Sequence, residues 1–142
     1  GYACVVVPPN KIESMAPLLA ETIVGSYLDS CGSEMPRWFA IGTARNIAVK
    51  MHPGNPYGKM WEDAVTQAFS SGIKPDGIMT TLNPDAGTAA LSQAFVKDLM
   101  KLPSWNGLLN NLKSGVRFDN AFGQAFRGAP LPLMSAWMSR GR

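Results

Sequence analysis

The clearest pattern of apolar and polar positions lies in Leu18–Ala48, where apolar residues recur at helical spacing on both sides of a short polar turn. In the first half they stand four apart and therefore share one helical face: Leu19, Ile23, Tyr27 and Cys31. A second stripe follows Pro36, which suits the first turn of a helix: Ala40, Ala44, Ile47, Ala48 and Met51. The segment is predicted to form two helices. Pro17 indicates that the first one begins near Met15.

Further helical stretches follow, and proline or glycine separates them. One is predicted for Tyr57–Ser71, ended by Gly72, and the next runs from Asp85 or Thr88 to Lys101. Three shorter helices are then predicted: Ser104–Lys113, Asn120–Phe126 and Leu131–Ser139. Ile73–Pro84 has no usable periodicity, and Met79–Leu82 within it is interpreted as a brief strand or a loop that crosses the bundle.

The segment Tyr2–Val7 is short, β-branched and closed by Pro8, which predicts a strand. A single strand must pair with something outside this chain segment, lie on the helices, or pair with a second copy. The predicted fold is mainly α: an orthogonal bundle of about six to seven helices with one short N-terminal strand. Residues 1–142 are interpreted as one domain, a segment of a larger protein.

The composition limits the classes of protein to which this chain can belong. The chain has 142 residues, of which 46% are hydrophobic and 16% charged, as in an ordinary globular domain. Its net charge of +3 is spread without a basic run, which argues against a nucleic-acid surface, and no apolar stretch approaches the ~20 residues of a membrane span. Cys4 and Cys31 are the only cysteines, and either a disulfide or two buried thiols is compatible with them.

Two short motifs in the leading segment resemble the active-site motifs of the gluzincin zinc metallopeptidases, in particular the bacterial peptidase-MA-like group. Ala20–Val24 lies where that family has H-E-x-x-H, and Pro36–Ala44 lies where it has P-R-W-[FL]-x-E-G-x-A. The two histidines are replaced by Ala20 and Val24, and the ligand glutamate by Ile41. Glu21, which corresponds to the general base, is retained.

The C-terminal half carries the same resemblance, with helices of the family's type in the family's order: Ala90–Leu99, Leu108–Leu112, Gly115–Phe126 and a last helix with Trp137. The likeness thus extends from Leu18 to Trp137. It implies the helical part of a metallopeptidase domain without its metal chemistry. It also implies an extracytoplasmic or cell-envelope location.

The replaced ligand positions exclude the family's zinc site, because methyl groups cannot coordinate a metal ion. No cofactor is therefore expected. Ala20, Val24 and Ile41 are expected to approach one another and to fill the former metal position with apolar atoms. His52 is the only histidine in the chain, and together with Cys4 and Cys31 it matches no recognised ligand spacing.

A cleft could persist beside this position, with Glu21, Arg37, Trp38 and Arg45 as its candidate residues. Glu21 is either an orphaned general base or, as we favour, a carboxylate paired with Arg37 or Arg45, because a buried carboxylate is costly unless it is paired. Trp38 either lines the cleft or anchors the core, and the core is favoured.

These observations lead to one main functional hypothesis and two alternatives. The main hypothesis is a catalytically inactive metallopeptidase-like domain that serves as a binding or structural module, with a peptide or another domain of the same protein as its partner. The first alternative is a hydrolase that uses a non-zinc constellation, with Glu21 and His52 as acid and base. The second is a helical adaptor unrelated to peptidases.

Overall fold

The computed structural model describes residues 6–30 and 35–141, and this part of the chain is mainly α-helical, as predicted. A 3₁₀ turn, Pro9–Lys11, leads into the first of the helices. The α-helices of the described part are α1 (Ile12–Ser30), α2 (Arg37–Met51), α3 (Pro56–Ser70), α4 (Pro75–Thr80), α5 (Ala86–Leu99), α6 (Ser104–Lys113), α7 (Phe118–Phe126) and α8 (Pro130–Arg140).

Helix α4 corrects the interpretation of Met79–Leu82 as a brief strand or a loop, because the helix includes Met79 and Thr80. It has only six residues, Pro75–Thr80, which is too short for a helical period to show in the sequence. Pro75 occupies its first turn, where the missing N–H is tolerated, and Ile78 is fully buried. This helix brings the count in the described residues above the predicted six to seven.

The predicted strand Tyr2–Val7 falls largely outside the described residues. Of its members, Val6 and Val7 are described, and they belong to neither a helix nor a strand. Cys4 and Cys31 also lie outside the described residues.

Helix α1 begins at Ile12, earlier than the predicted Met15, and includes Pro17. Proline has no N–H, so the carbonyl of Glu13, four residues earlier, loses its donor within the helix. The side chain of Asn55 replaces it: its Nδ2 donates to Glu13 O at 3.3 Å and to Ser14 O at 3.4 Å. Asn55 Oδ1 also accepts from the N–H of Tyr57 at 3.0 Å and so caps α3. One side chain thus joins the start of α3 to the first turns of α1.

The main core is built around Trp38, which is 2% exposed. Four aromatic rings surround its indole with centroid distances of 5.6 to 6.1 Å: Phe39, Phe95, Phe118 and Phe122. Several of these pairs stand edge to face, an arrangement that adds electrostatic attraction to apolar burial. The interpretation of Trp38 as a core residue is confirmed.

A second, smaller core lies between α1, α2 and α3 and contains Ala20, Ala48 and Trp61. On α1 the buried residues are Pro17 and Ala20, whereas Ile23 and Tyr27 of the predicted apolar stripe are 68% and 67% exposed. These two members of the stripe therefore lie on the outer face of α1. Among the described helices, none combines the length and the apolar character needed to cross a bilayer.

Candidate functional site

The three positions that correspond to the family's zinc ligands lie on two helices that pack along each other, α1 and α2. Ala20 is buried and belongs to the small core with Ala48 and Trp61, while Val24 and Ile41 are half-buried. Apolar side chains therefore occupy all three positions. Their convergence on one point stays a prediction.

Glu21, beside these positions, makes an ion pair with Arg45 of α2. Arg45 Nε donates to Glu21 Oε1 at 2.9 Å, and the two side chains are only 15% and 20% exposed. The expected pairing of Glu21 with Arg37 or Arg45 is thus found with Arg45. A charge-assisted hydrogen bond at this depth is stronger than a surface ion pair, because little water competes for either partner.

Arg45 also lies over the indole of Trp61 in α3, with its Cζ 4.8 Å from the ring centroid. The ring face attracts the cation, and the carboxylate of Glu21 balances its charge. We call these three residues the Arg45 cluster. They join α1, α2 and α3, so the retained glutamate contributes to helix packing.

The other candidate residues, Arg37, Trp38 and His52, are not members of the Arg45 cluster. Trp38 lies in the main core. Arg37 is half-buried at the first residue of α2, and His52 is half-buried at the opposite end of that helix. Within residues 6–30 and 35–141, no three His, Cys, Asp or Glu side chains gather as a group that could hold a metal ion.

The contact between α2 and α5 depends on a residue that sequence reasoning missed. A Cβ on Gly42 would lie 2.5 Å from Ser92 O and 2.6 Å from Val96 Cγ2, so only glycine lets the two helices approach this closely. Asn46 Nδ2 donates to both Gly42 O and Gln93 O at 2.8 Å. The sequence signal for this close contact was a glycine among the apolar residues of a predicted helix.

A second candidate site is a surface groove along α5, between α3 and α8. Its main part, of about 720 Å³, has an apolar floor in which the Trp137 ring lies 5.2 Å from Phe69 and 5.4 Å from Phe95. A smaller part of about 230 Å³ shares Ala94 and Lys97 with it. We call the two parts together the α5 groove. Its lining includes Phe69, Gln93, Ala94, Lys97, Lys101, Trp137 and Arg140.

Asp98 fixes the position of Trp137 in this groove. Its Oδ2 accepts from Trp137 Nε1 at 2.9 Å and its Oδ1 from Lys101 Nζ at 2.6 Å. Burial raises the pKa of Asp98, but the hydrogen bonds from Lys101 and Trp137 and the charges of Lys101 and Lys97 outweigh it, so the pKa is lowered overall. The carboxylate therefore stays ionised at neutral pH.

The signal for a groove was weak: two lysines four apart beside the small residue Ala94. The tryptophan that completes it is 36 residues further along the chain from Lys101.

Comparisons with protein-family models, with curated proteins and with solved structures found no match. The Arg45 cluster and the α5 groove are therefore the two features on which a function can be argued. The first bears on catalysis and the second on binding.

Proposed function

We propose that this chain is a catalytically inactive, metallopeptidase-like helical domain that serves as a binding or structural module. The observation that carries the proposal is the 2.9 Å ion pair between Glu21 and Arg45. In a zinc peptidase the glutamate at this position must take a proton from a metal-bound water. Here the same carboxylate accepts a hydrogen bond from a guanidinium that is packed on Trp61.

The surroundings of Glu21 support the same proposal. Ala20, at a position of a zinc-binding histidine, packs with Ala48 and Trp61 in a small apolar core. Val24 and Ile41 offer only hydrocarbon groups, which cannot donate to zinc. Ala20 and Glu21, which would belong to a catalytic centre, instead contribute to the contacts between α1, α2 and α3.

The proposal is tested by metal analysis and by activity on the same purified protein. After dialysis against zinc, we expect less than stoichiometric metal by mass spectrometry and no cleavage of a random peptide library. The Glu21→Gln variant is the control, because it removes the carboxylate with little change of shape.

Stoichiometric zinc together with cleavage that Glu21→Gln abolishes would overturn the proposal. Cleavage that persists in a chelator and is lost in Glu21→Gln would also overturn it, in favour of a metal-free hydrolase. Less than stoichiometric zinc and no cleavage, for the parent and the variant alike, support the proposal.

A further inference from the structure

The α5 groove has the features of a binding site with a rigid apolar floor. Trp137 is held from two sides by Phe69 and Phe95, and its Nε1 is tied to Asp98 at 2.9 Å. A side chain fixed in this way loses little conformational freedom when a ligand covers it, so more of the contact energy appears as affinity. Its volume of about 720 Å³ lies within the range of ligand sites.

The charges along the groove favour an anionic partner. Three cationic side chains and two carboxylates line the two parts together, and one of these carboxylates, Asp98, is already bonded to Trp137 and Lys101. Lys97 and Lys101 keep 53% and 66% of their side chains exposed, and Arg140 is exposed as well. Lys97 is 3.1 Å from Glu62, an exposed pair that contributes little and that a ligand carboxylate can replace.

A third, independent feature is an unsatisfied acceptor at one end of the groove. Gln93 is only 3% exposed, and its Oε1 is buried without a hydrogen-bond partner among the described residues. Gln93 lines the smaller part of the groove beside Ala94 and Lys97. A buried carbonyl oxygen without a donor costs free energy, which a ligand N–H would recover.

We propose that the α5 groove binds an acidic peptide segment that places a bulky apolar side chain against Trp137. The carboxylates of the segment lie beside Lys97, Lys101 and Arg140, and the Gln93 side chain turns towards the segment so that its Oε1 accepts a backbone N–H. From Gln93 to Leu99 the groove follows α5 for about 9 Å, which an extended segment of about three residues spans. Because the two parts share Ala94 and Lys97, a ligand that occupies both is best supplied by a linear chain.

This inference rests on the proposed binding function and names its partner class. The described residues that line the groove come from α3, α5, α8 and the segments next to them, whereas the zinc-ligand positions lie on α1 and α2. The two proposals can therefore fail separately. Zinc-dependent cleavage would overturn the first and leave the groove unaffected, and failure of the peptide assay would overturn only the second.

The probe is a fluorescein-labelled, capped nonapeptide with four glutamates around a central Leu-Trp pair, measured by fluorescence anisotropy with the whole chain. Two control peptides replace the glutamates by lysines or the Leu-Trp pair by Ser-Gly. We expect saturable binding of the first peptide only. Absence of saturation up to about 1 mM would overturn the proposal, since binding weaker than that is not specific recognition.

Charge-reversal variants locate the binding. Lys97→Glu combined with Lys101→Glu is expected to weaken binding by about tenfold or more, because like charges then face the peptide. The matched control combines Lys74→Glu with Lys113→Glu, which changes the net charge equally at exposed positions outside the groove. Equal loss in both double variants would mean non-directional attraction and would overturn the proposal.

Two further variants test the shape and the acceptor. Ala94→Leu fills the point shared by both parts of the groove, and Gln93→Met removes the buried carbonyl oxygen with little change in length. Both are expected to weaken binding, while amide spectra show that the chain remains folded. In the parent, the peptide should shift the indole N–H signal of Trp137. An unchanged Trp137 signal at saturation would place the peptide elsewhere and contradict the inference.

Discussion

Among single residues, Asp85 makes the clearest local contribution to stability. Its Oδ1 accepts from the N–H of Thr88 at 2.7 Å and caps α5, the helix that contacts both α2 and α3. Asp85→Ala leaves that N–H without its partner, so we expect the free energy of unfolding to fall by about 1 kcal/mol. Urea denaturation at pH 7 measures it, and Asp85→Asn, which still caps, should stay close to the parent.

The same residue predicts a dependence on pH. The hydrogen bonds from the backbone and side chain of Thr88 lower the pKa of Asp85 below its ordinary value of 3.8, against a smaller effect of burial. A lowered folded-state pKa adds stability that is fully present above the unfolded-state value and is lost as the pH falls through the folded-state value. Below about pH 4 the parent should therefore lose stability that Asp85→Asn does not lose. Asp119→Asn is the control and should lose stability at low pH as the parent does. If it resists low pH as well as Asp85→Asn does, the effect cannot be assigned to the cap of α5.

Gly42 is a second position where one residue decides the packing. A Cβ there would meet Ser92 O at 2.5 Å and Val96 Cγ2 at 2.6 Å, both on the neighbouring helix. Gly42→Ala is therefore expected to lower the free energy of unfolding by about 1–3 kcal/mol. Gly25→Ala is the matched control, because no atom lies within 4 Å of its Cβ. Alanine there should stabilise α1 by roughly 0.5–1 kcal/mol, and a gain at both positions would refute the close helix contact.

At the scale of helices, Asn55 links the start of α3 to the proline in α1. Asn55→Asp keeps an acceptor for the N–H of Tyr57 but cannot donate to Glu13 O. We expect it to cost about 0.5–1.5 kcal/mol in urea denaturation, the usual net value of one hydrogen bond. Pro17→Ala supplies the missing N–H to the same carbonyl.

A double-mutant cycle separates this bond from other effects of the two changes. In the Pro17→Ala background, Asn55→Asp should cost less than in the parent, because Glu13 O then has a donor within its own helix. Equal costs in both backgrounds would show that Asn55 and Pro17 act independently.

The first and last residues of a helix could be predicted from the sequence where a proline or a glycine marks them. They could not be predicted where packing against distant parts of the chain determines them. Pro36 and Gly72 correctly marked a start and an end, whereas α4 was too short to show a period. The apolar stripe of α1 misled for another reason: α1 packs through small residues such as Ala20, while Ile23 and Tyr27 of the stripe remain exposed. Local spacing identifies a face of a helix, but its neighbours determine whether that face is buried.

For the whole molecule, the fold class could be predicted but the arrangement of the sites could not. The α5 groove needs Phe69, Ala94 and Trp137 from three helices, and no local pattern connects residues so far apart in the chain. The Arg45 cluster was predicted in part, because Glu21 required a cation and Arg45 was among the few candidates. Its third member, Trp61, comes from α3 and depends on how that helix packs.

The resemblance of α1 and α2 to the zinc-site helices of the gluzincins leads to a prediction about the whole domain. If these two helices keep the geometry of a zinc peptidase, Ala20→His, Val24→His and Ile41→Glu together should create a site with two imidazoles and one carboxylate, which suits zinc. Calorimetric titration should show tighter zinc binding than in the parent. Ala20 is packed against Ala48 and Trp61, so each enlarged position should also lower the stability of the metal-free variant by about 1–3 kcal/mol.

The matched control is Ile23→His with Tyr27→His, a histidine pair at the same spacing on the exposed face of α1, without a third ligand. A folded triple variant that binds zinc no more tightly than this pair would show that the three positions do not form one site. Hydrolysis is not expected to return with the metal, because Glu21 still accepts its hydrogen bond from Arg45 at 2.9 Å. Adding Arg45→Ala releases that carboxylate, so activity should appear first in the fourfold variant, at a further cost in stability of about 1–3 kcal/mol.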